Sequence, residues 1–175
     1  MKLQALIEPA HSVERLCPYL PADIDSPVAQ EIRKRRKGFL LNLDRMLLYN
    51  EQIANGWNTL FGALRNSLSL DPKHRELCIC YVGLLNNAAY EVDQHMPEFM
   101  KSGGTLDHID SLRCQEFDIF TQEERRMLKC CEMITFGNEV DQAMRRKMID
   151  DLGSVGAFVE FTALIAGYNC CSRVL

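Results

Sequence analysis

A chain of 175 residues is the size of one domain, and the sequence divides into an N-terminal extension at 1–25 and a helical domain at 26–175. Hydrophobic residues make up 47% and charged residues 25%, enough of both for a globular core under a polar surface and too apolar for a disordered chain. The net charge of -4 gives no electrostatic reason to expect nucleic acid. No apolar run approaches the roughly 20 residues of a membrane span, and Glu8 and Pro9 interrupt the N-terminus before a signal-type segment develops, so no membrane partner and a cytoplasmic location are expected.

Strand signals are missing, and the elements read as helices in chain order. Ser26-Pro27 opens a helix running to about Arg36, with Pro in its first turn. The basic cluster Arg33-Lys34-Arg35-Arg36-Lys37 reads as its solvated C-terminal end, with Gly38 following. Leu40, Leu43, Leu47 and Leu48 supply the stripe of a second element. Ile53, Trp57, Leu60, Phe61 and Leu64 recur at threes and fours as the buried face of a third, ending near Ser67. Asp71 caps a helix that begins at Pro72 and breaks at Asn86-Asn87; the next stops at Ser102-Gly103-Gly104.

A short helix follows from Leu106 to Arg113, and Thr121 with Glu124 makes a capping box for a helix to about Phe136. Asp141–Asp151 is amphipathic and charged. Val155–Tyr168 is apolar almost all round apart from Glu160, so it must bury itself in this core or against another subunit, with Glu160 needing a partner. The sum is an all-α fold of about eight helices. Eight cysteines include the pairs Cys130/Cys131 and Cys170/Cys171 but no Cys-x-x-Cys, so they read as reduced, half-buried small hydrophobes and neither a disulfide framework nor a metal site.

The chemistry concentrates in Glu76 and in Ala88-Ala89-Tyr90-Glu91-Val92-Asp93-Gln94-His95. Glu91 and His95 are four residues apart, about 40° apart on one helical face, and within reach of a shared hydrogen bond. Leu77, Ile79, Val82 and Val92 would desolvate groups on the inner face, which raises a carboxyl pKa and lowers that of an imidazole. Acid/base use of Glu76, Glu91 and His95 is the functional reading; a surface carboxylate and a core histidine are the structural one. Trp57 and Phe61 are candidate pocket walls and Tyr90 a candidate hydrogen-bond donor to substrate. Arg45 and Arg173 suit a substrate carboxylate or an ion pair, and His74 and His108 read as solvent-facing.

Taken together, these residues resemble the carboxymuconolactone decarboxylase-like family, which shares its all-helical fold with the alkylhydroperoxidase D proteins. The resemblance spans roughly residues 27 to 173. It takes in Leu43-Asp44-Arg45-Met46-Leu47-Leu48, Gly56-Trp57-Asn58, Arg75-Glu76-Leu77, Ala89-Tyr90-Glu91 with His95, the Phe120–Leu128 segment, Val159-Glu160, Tyr168-Asn169 and Arg173. In the peroxidase-like branch a Cys-x-x-Cys precedes the His by four residues, and a Glu lies nineteen residues before it. Here Glu76 and His95 have that spacing, but the cysteine positions fall on Ala88 and Glu91. The dithiol of thiol peroxidases is absent.

The Tyr-Glu-x-x-x-His pattern is similar to the decarboxylase branch, although Val92 stands where an aromatic often follows the Glu. The resemblance implies decarboxylation of, or proton movement within, a small cyclic lactone or keto acid, with no metal or organic cofactor. For that chemistry His95 reads as the acid/base, Glu91 as the group that orients or recharges it and Glu76 as a relay to the pair, and the resemblance implies a homo-oligomer, trimeric or hexameric. Two alternatives stand beside it: a non-catalytic helical oligomer that binds a ligand or protein, and peroxide chemistry through Cys78 or Cys80 near Glu76.

Overall fold

The computed structural model describes residues 18–137 and 139–174; residues 1–17 of the expected N-terminal extension, with His11 and Cys17, lie outside the described residues. These residues form nine α-helices and a π-helical turn and contain no strand, so the protein is all-α. The chain divides into two compact units, one ending at Ser67 and one beginning at Leu68.

The first unit holds α1 (Pro27–Arg35), α2 (Asn42–Leu47) and α3 (Glu51–Asn66). Ala29, Ile32, Leu48 and Ala54 form its core, with Leu20, Ile24, Val28, Leu40 and Leu47 packed against them. The basic cluster is not a simple solvated helix end. Arg33 donates through Nη2 to the carbonyls of Ala22 and Ile24, both at 2.7 Å, and Arg35 donates to Asn58 Oδ1. Arg36 pairs with buried Asp44 at 2.6 Å, and Asp44 also accepts from the amide of Leu41. Backbone carbonyls, an amide oxygen and one carboxylate thus take up donors from three cations of this run. On α3, Phe61 and Leu64 are buried as their spacing suggests, whereas Ile53 and Leu60 are half exposed. The buried stripe is narrower than the spacing suggests, because the helix covers only one narrow face.

The second unit is organised around α4 (Pro72–Leu85), which packs on α5 (Ala89–Lys101), α9 (Val155–Val174), α7 (Gln122–Glu132) and α6 (Leu106–Cys114). Every residue of α4 from Glu76 to Gly83 is buried, so it has no solvent face over two turns. That explains its apolar sequence and puts Glu76 among core side chains. Thr121 and Glu124 form the expected capping box, with the Glu124 amide donating to Thr121 Oγ1 and the Thr121 amide to the Glu124 carboxylate. Glu124 is itself buried and bonded to Lys73 Nζ at 2.8 Å, tying α7 to the start of α4. The π-helical turn Met133–Gly137 follows α7, and α8 (Gln142–Leu152) packs on α7 and α9.

Helix α9 is longer than its apolar run suggested, continuing past Tyr168 to Val174, and by length and composition it is the one helix among the described residues that could cross a membrane. Its inner face, with Phe161, Leu164, Ile165 and Tyr168, is instead buried in this unit, while Val155 and Val159 are exposed. Glu160 has the partner its setting demands, accepting from the Ser69 amide at 2.6 Å and from Ser69 Oγ at 2.8 Å. The seven described cysteines are thiols; Cys78, Cys80, Cys130, Cys131 and Cys171 are buried, and Cys114 and Cys170 are exposed. Burial is therefore deeper for five of them than the half-buried reading held.

The close approach of α4 and α5 rests on Gly83. A Cβ there would lie 2.9 Å from Val92 Cγ2 and 3.5 Å from Glu91 Oε1. Gly83→Ala should therefore push α5 outward and destabilise the fold by about 1–3 kcal/mol, read as a lowered midpoint in denaturant at unchanged slope. An unchanged midpoint would show that α5 is not held at this distance.

Candidate active site

The helix pair α4–α5 builds the site. Asp71 caps α4 by accepting from the amides of Lys73 (2.8 Å) and His74 (3.2 Å), and Pro72 fits its first turn, where no backbone donor is needed. Glu76 then falls on the second turn. At the other end the chain turns through Asn87 in the left-handed region (φ 55°), and the Ala88 amide closes on the Gly83 carbonyl at 2.8 Å. Asn tolerates this conformation better than most residues. The result is a tight helical hairpin that returns His95 to the level of Glu76.

Glu76 is 4% exposed and its two oxygens have different partners. Oε2 lies 2.7 Å from His95 Nδ1, and Oε1 accepts from Arg75 Nε at 3.1 Å. The ring of Tyr168, on α9, stands edge-on to the imidazole at 5.0 Å. Glu91, also buried, accepts from Ser172 Oγ with oxygens at 3.0 and 3.1 Å, and the same hydroxyl lies 2.9 Å from the Tyr168 carbonyl. The hydrogen bond made by His95 Nδ1 thus crosses between helices to Glu76, where the four-residue spacing pointed along α5 to Glu91. The residue that orients the imidazole is Glu76.

The electrostatics of Glu76 also differ from the expectation of a raised pKa. Burial pushes its carboxyl up, but the hydrogen bond and charge of His95, together with those of Arg75, outweigh it and hold the group below its ordinary value. Glu76 is then an ionised acceptor at neutral pH, and an ionised carboxylate has no proton to give. His95 Nδ1 must carry the shared proton. In the neutral imidazole the lone pair therefore sits on Nε2, on the far side of the ring, which is the nitrogen able to take a proton from another molecule. Cys80 shows the opposite effect: burial, with the charges of Glu76 and Glu91, pushes its thiol up to about 12.

The other sequence candidates make contacts of their own. Tyr90 is half-buried in the first turn of α5. Trp57 and Phe61 stack at 4.3 Å on α3 in the first unit, and the Trp57 indole nitrogen is buried with no hydrogen-bond partner among the described residues. Arg45 donates to the Leu20 carbonyl and to Asn42 and lies over the Tyr19 ring, and Arg173 donates to the backbone and side chain of Asn169, so both spend donors on structure. His74 and His108 are half-buried, contrary to the solvent-facing reading. His108 accepts from the Thr105 amide within the cap of α6 and packs between Phe99 and Phe120. Among the described residues no group of three or more potential ligands is placed to hold a metal.

Sequence reasoning passed over Ser172 as a partner of Glu91 and weighed Arg75 only as a structural pair. Nothing in the local pattern flags Ser172; only the packing of α9 against α4 brings it to Glu91.

No protein-family model and no curated protein matches the chain. Among solved structures, an uncharacterized peroxidase-related protein from Silicibacter sp. TM1040 has a similar fold, with a TM-score of 0.74 and 16% sequence identity over 94% of this chain and 91% of that one. At that identity the likeness speaks for the fold alone.

The depressed pKa of Glu76 has a consequence for stability. Its ionised form favours the folded state at pH values above the ordinary carboxyl range, and that contribution is lost as pH falls through the depressed folded-state value. Chemical denaturation across the acidic range should show wild-type stability falling over this window and Glu76→Gln following a flatter curve. Parallel curves would mean that Glu76 is not ionised against His95 and Arg75.

Proposed function

We propose that the protein is an acid/base enzyme with an alkylhydroperoxidase D-like fold that decarboxylates, or moves a proton within, a small cyclic lactone or keto acid. The observation that carries this reading is the 2.7 Å contact between buried Glu76 and His95 Nδ1, which fixes the imidazole and leaves Nε2 as its working end. Loss of carbon dioxide from such an acid breaks a carbon–carbon bond and leaves the electron pair as an enolate or dienolate. Proton delivery from His95 Nε2 to carbon then completes the reaction, and the imidazole recovers its proton from solvent. Isomerisation uses the same nitrogen first as base and then as acid.

Glu76 stabilises the imidazolium that either route requires, and Glu91, four residues before His95 on α5, is a second buried carboxyl. Tyr90, on α5 with His95, is the proposed substrate contact. We assign the exposed Val155 and Val159 of α9 to a homo-oligomer contact, trimeric or hexameric, since an apolar helix face favours burial.

Peroxide chemistry is the second reading, favoured by the fold shared with a protein described as peroxidase-related. Cys80, whose thiol feels the charges of Glu76 and Glu91, argues against it, because at about 12 it is almost wholly protonated at neutral pH and the thiolate is the nucleophile.

Proton NMR in D2O with a panel of lactone acids and β-keto acids separates the readings. Turnover should appear as carboxylate loss or deuterium entry at carbon, and His95→Gln should lower it by about 10²–10⁴-fold with folding intact. Peroxide consumption that survives His95→Gln and disappears in Cys80→Ala would replace this reading with the second.

A further inference from the structure

The acid/base pair has a third member whose donors are only partly used. Arg75 sends Nε to Glu76 Oε1, while Nη1 and Nη2 donate to no group among the described residues. The side chain is 19% exposed, so it is largely enclosed yet reachable. His95 is 13% exposed, and its Nε2 is likewise engaged by none of the described residues. One carboxylate holds both: Oε1 fixes the guanidinium and Oε2 fixes the imidazole, so the two groups share one anchor.

Other cations are committed elsewhere. Arg126 makes a two-pronged bond to Asp151, Lys73 pairs with Glu124, and Arg45 and Arg173 hold backbone carbonyls and asparagines. An arginine pinned at Nε presents its two distal nitrogens as a planar pair, the geometry that matches the two oxygens of a carboxylate. Glu76 supplies the negative charge that makes it possible to hold this cation in an enclosed place, and it also orients the fork.

We propose that the distal nitrogens of Arg75 form the subsite for the substrate's carboxylate, seating a small monoanionic organic acid with its reacting carbon toward His95 Nε2. The subsite deepens the acid/base reading and rests on it for the role of His95, but anion binding is measurable without turnover. Recognition here selects the acid over its ester or amide. A neutral analogue leaves the guanidinium without its partner, and the negative charges of Glu76 and Glu91 oppose an anion anywhere in the site that lacks the Arg75 contact.

The test uses the γ-lactone acid 5-oxotetrahydrofuran-2-carboxylate and its methyl ester as probes, titrated into the full-length protein while the His95 imidazole and Arg75 Nε resonances are followed by NMR. The acid should shift both resonances saturably, and the ester should bind roughly tenfold or more weakly. Arg75→Gln should lose that preference and bind acid and ester about equally. Arg75→Lys, which keeps the charge and loses the fork, should fall between. Equal binding of acid and ester, wild-type acid affinity in Arg75→Gln, or no saturable shift with the acid would overturn the subsite. Acid binding that persists in His95→Gln, without turnover by any variant, would leave the subsite standing and remove the catalytic reading instead.

Discussion

The second unit depends on one constraint: an ionised carboxylate, Glu76, is placed inside the most buried stretch of its central helix. A charge there is tolerable only if it is paired and its oxygens are satisfied. Arg75 and His95 meet that need from opposite sides. Much of the surrounding architecture serves to bring His95 into place. The cap at Asp71 sets the start of α4, the turn at Asn87 reverses the chain, and Gly83 lets α5 approach closely enough for the imidazole to reach across. The same requirement gives the site its chemistry, because an acceptor-only carboxylate decides which ring nitrogen carries the proton.

Deep enclosure also sorts the nearby nucleophiles. Cys80 shares the burial of Glu76 but has only negative charges as neighbours of consequence, so it is held as a thiol. Cys131, fully enclosed and hydrogen-bonded to Cys78, is pushed up in the same direction. A helix rich in thiols thus behaves as packing, while the neighbouring imidazole is left with Nε2 to exchange a proton.

Most helices were legible in the sequence because their ends are chemically marked. Ser26-Pro27, Asp71-Pro72, the Thr121/Glu124 box and Ser102-Gly103-Gly104 each satisfy orphan backbone groups in a way that spacing reveals. What the sequence obscured depends on packing between helices. Periodicity cannot say that Ile53 and Leu60 face outward, that Arg33, Arg35 and Arg36 turn inward, or that α9 continues past Tyr168. At the site, local spacing favoured a Glu91–His95 contact within one helix, whereas the observed bond joins residues nineteen apart through the hairpin. Only the family resemblance had placed Glu76 with His95. Ser172 and the open face of Arg75 needed coordinates, since neither has a signature in its own neighbourhood.

The central claim is that Glu76 holds the His95 proton on Nδ1 and leaves Nε2 to exchange protons with substrate. Nitrogen-15 NMR of the imidazole, recorded at a pH where the ring is neutral, tests it directly. The account predicts the Nδ1–H tautomer in the wild type, with Nε2 at the shift of an unprotonated nitrogen and the preference weakened in Glu76→Gln. A wild-type ring with its proton on Nε2 would contradict it, because Glu76 would then be neither the acceptor nor the group that fixes the working end.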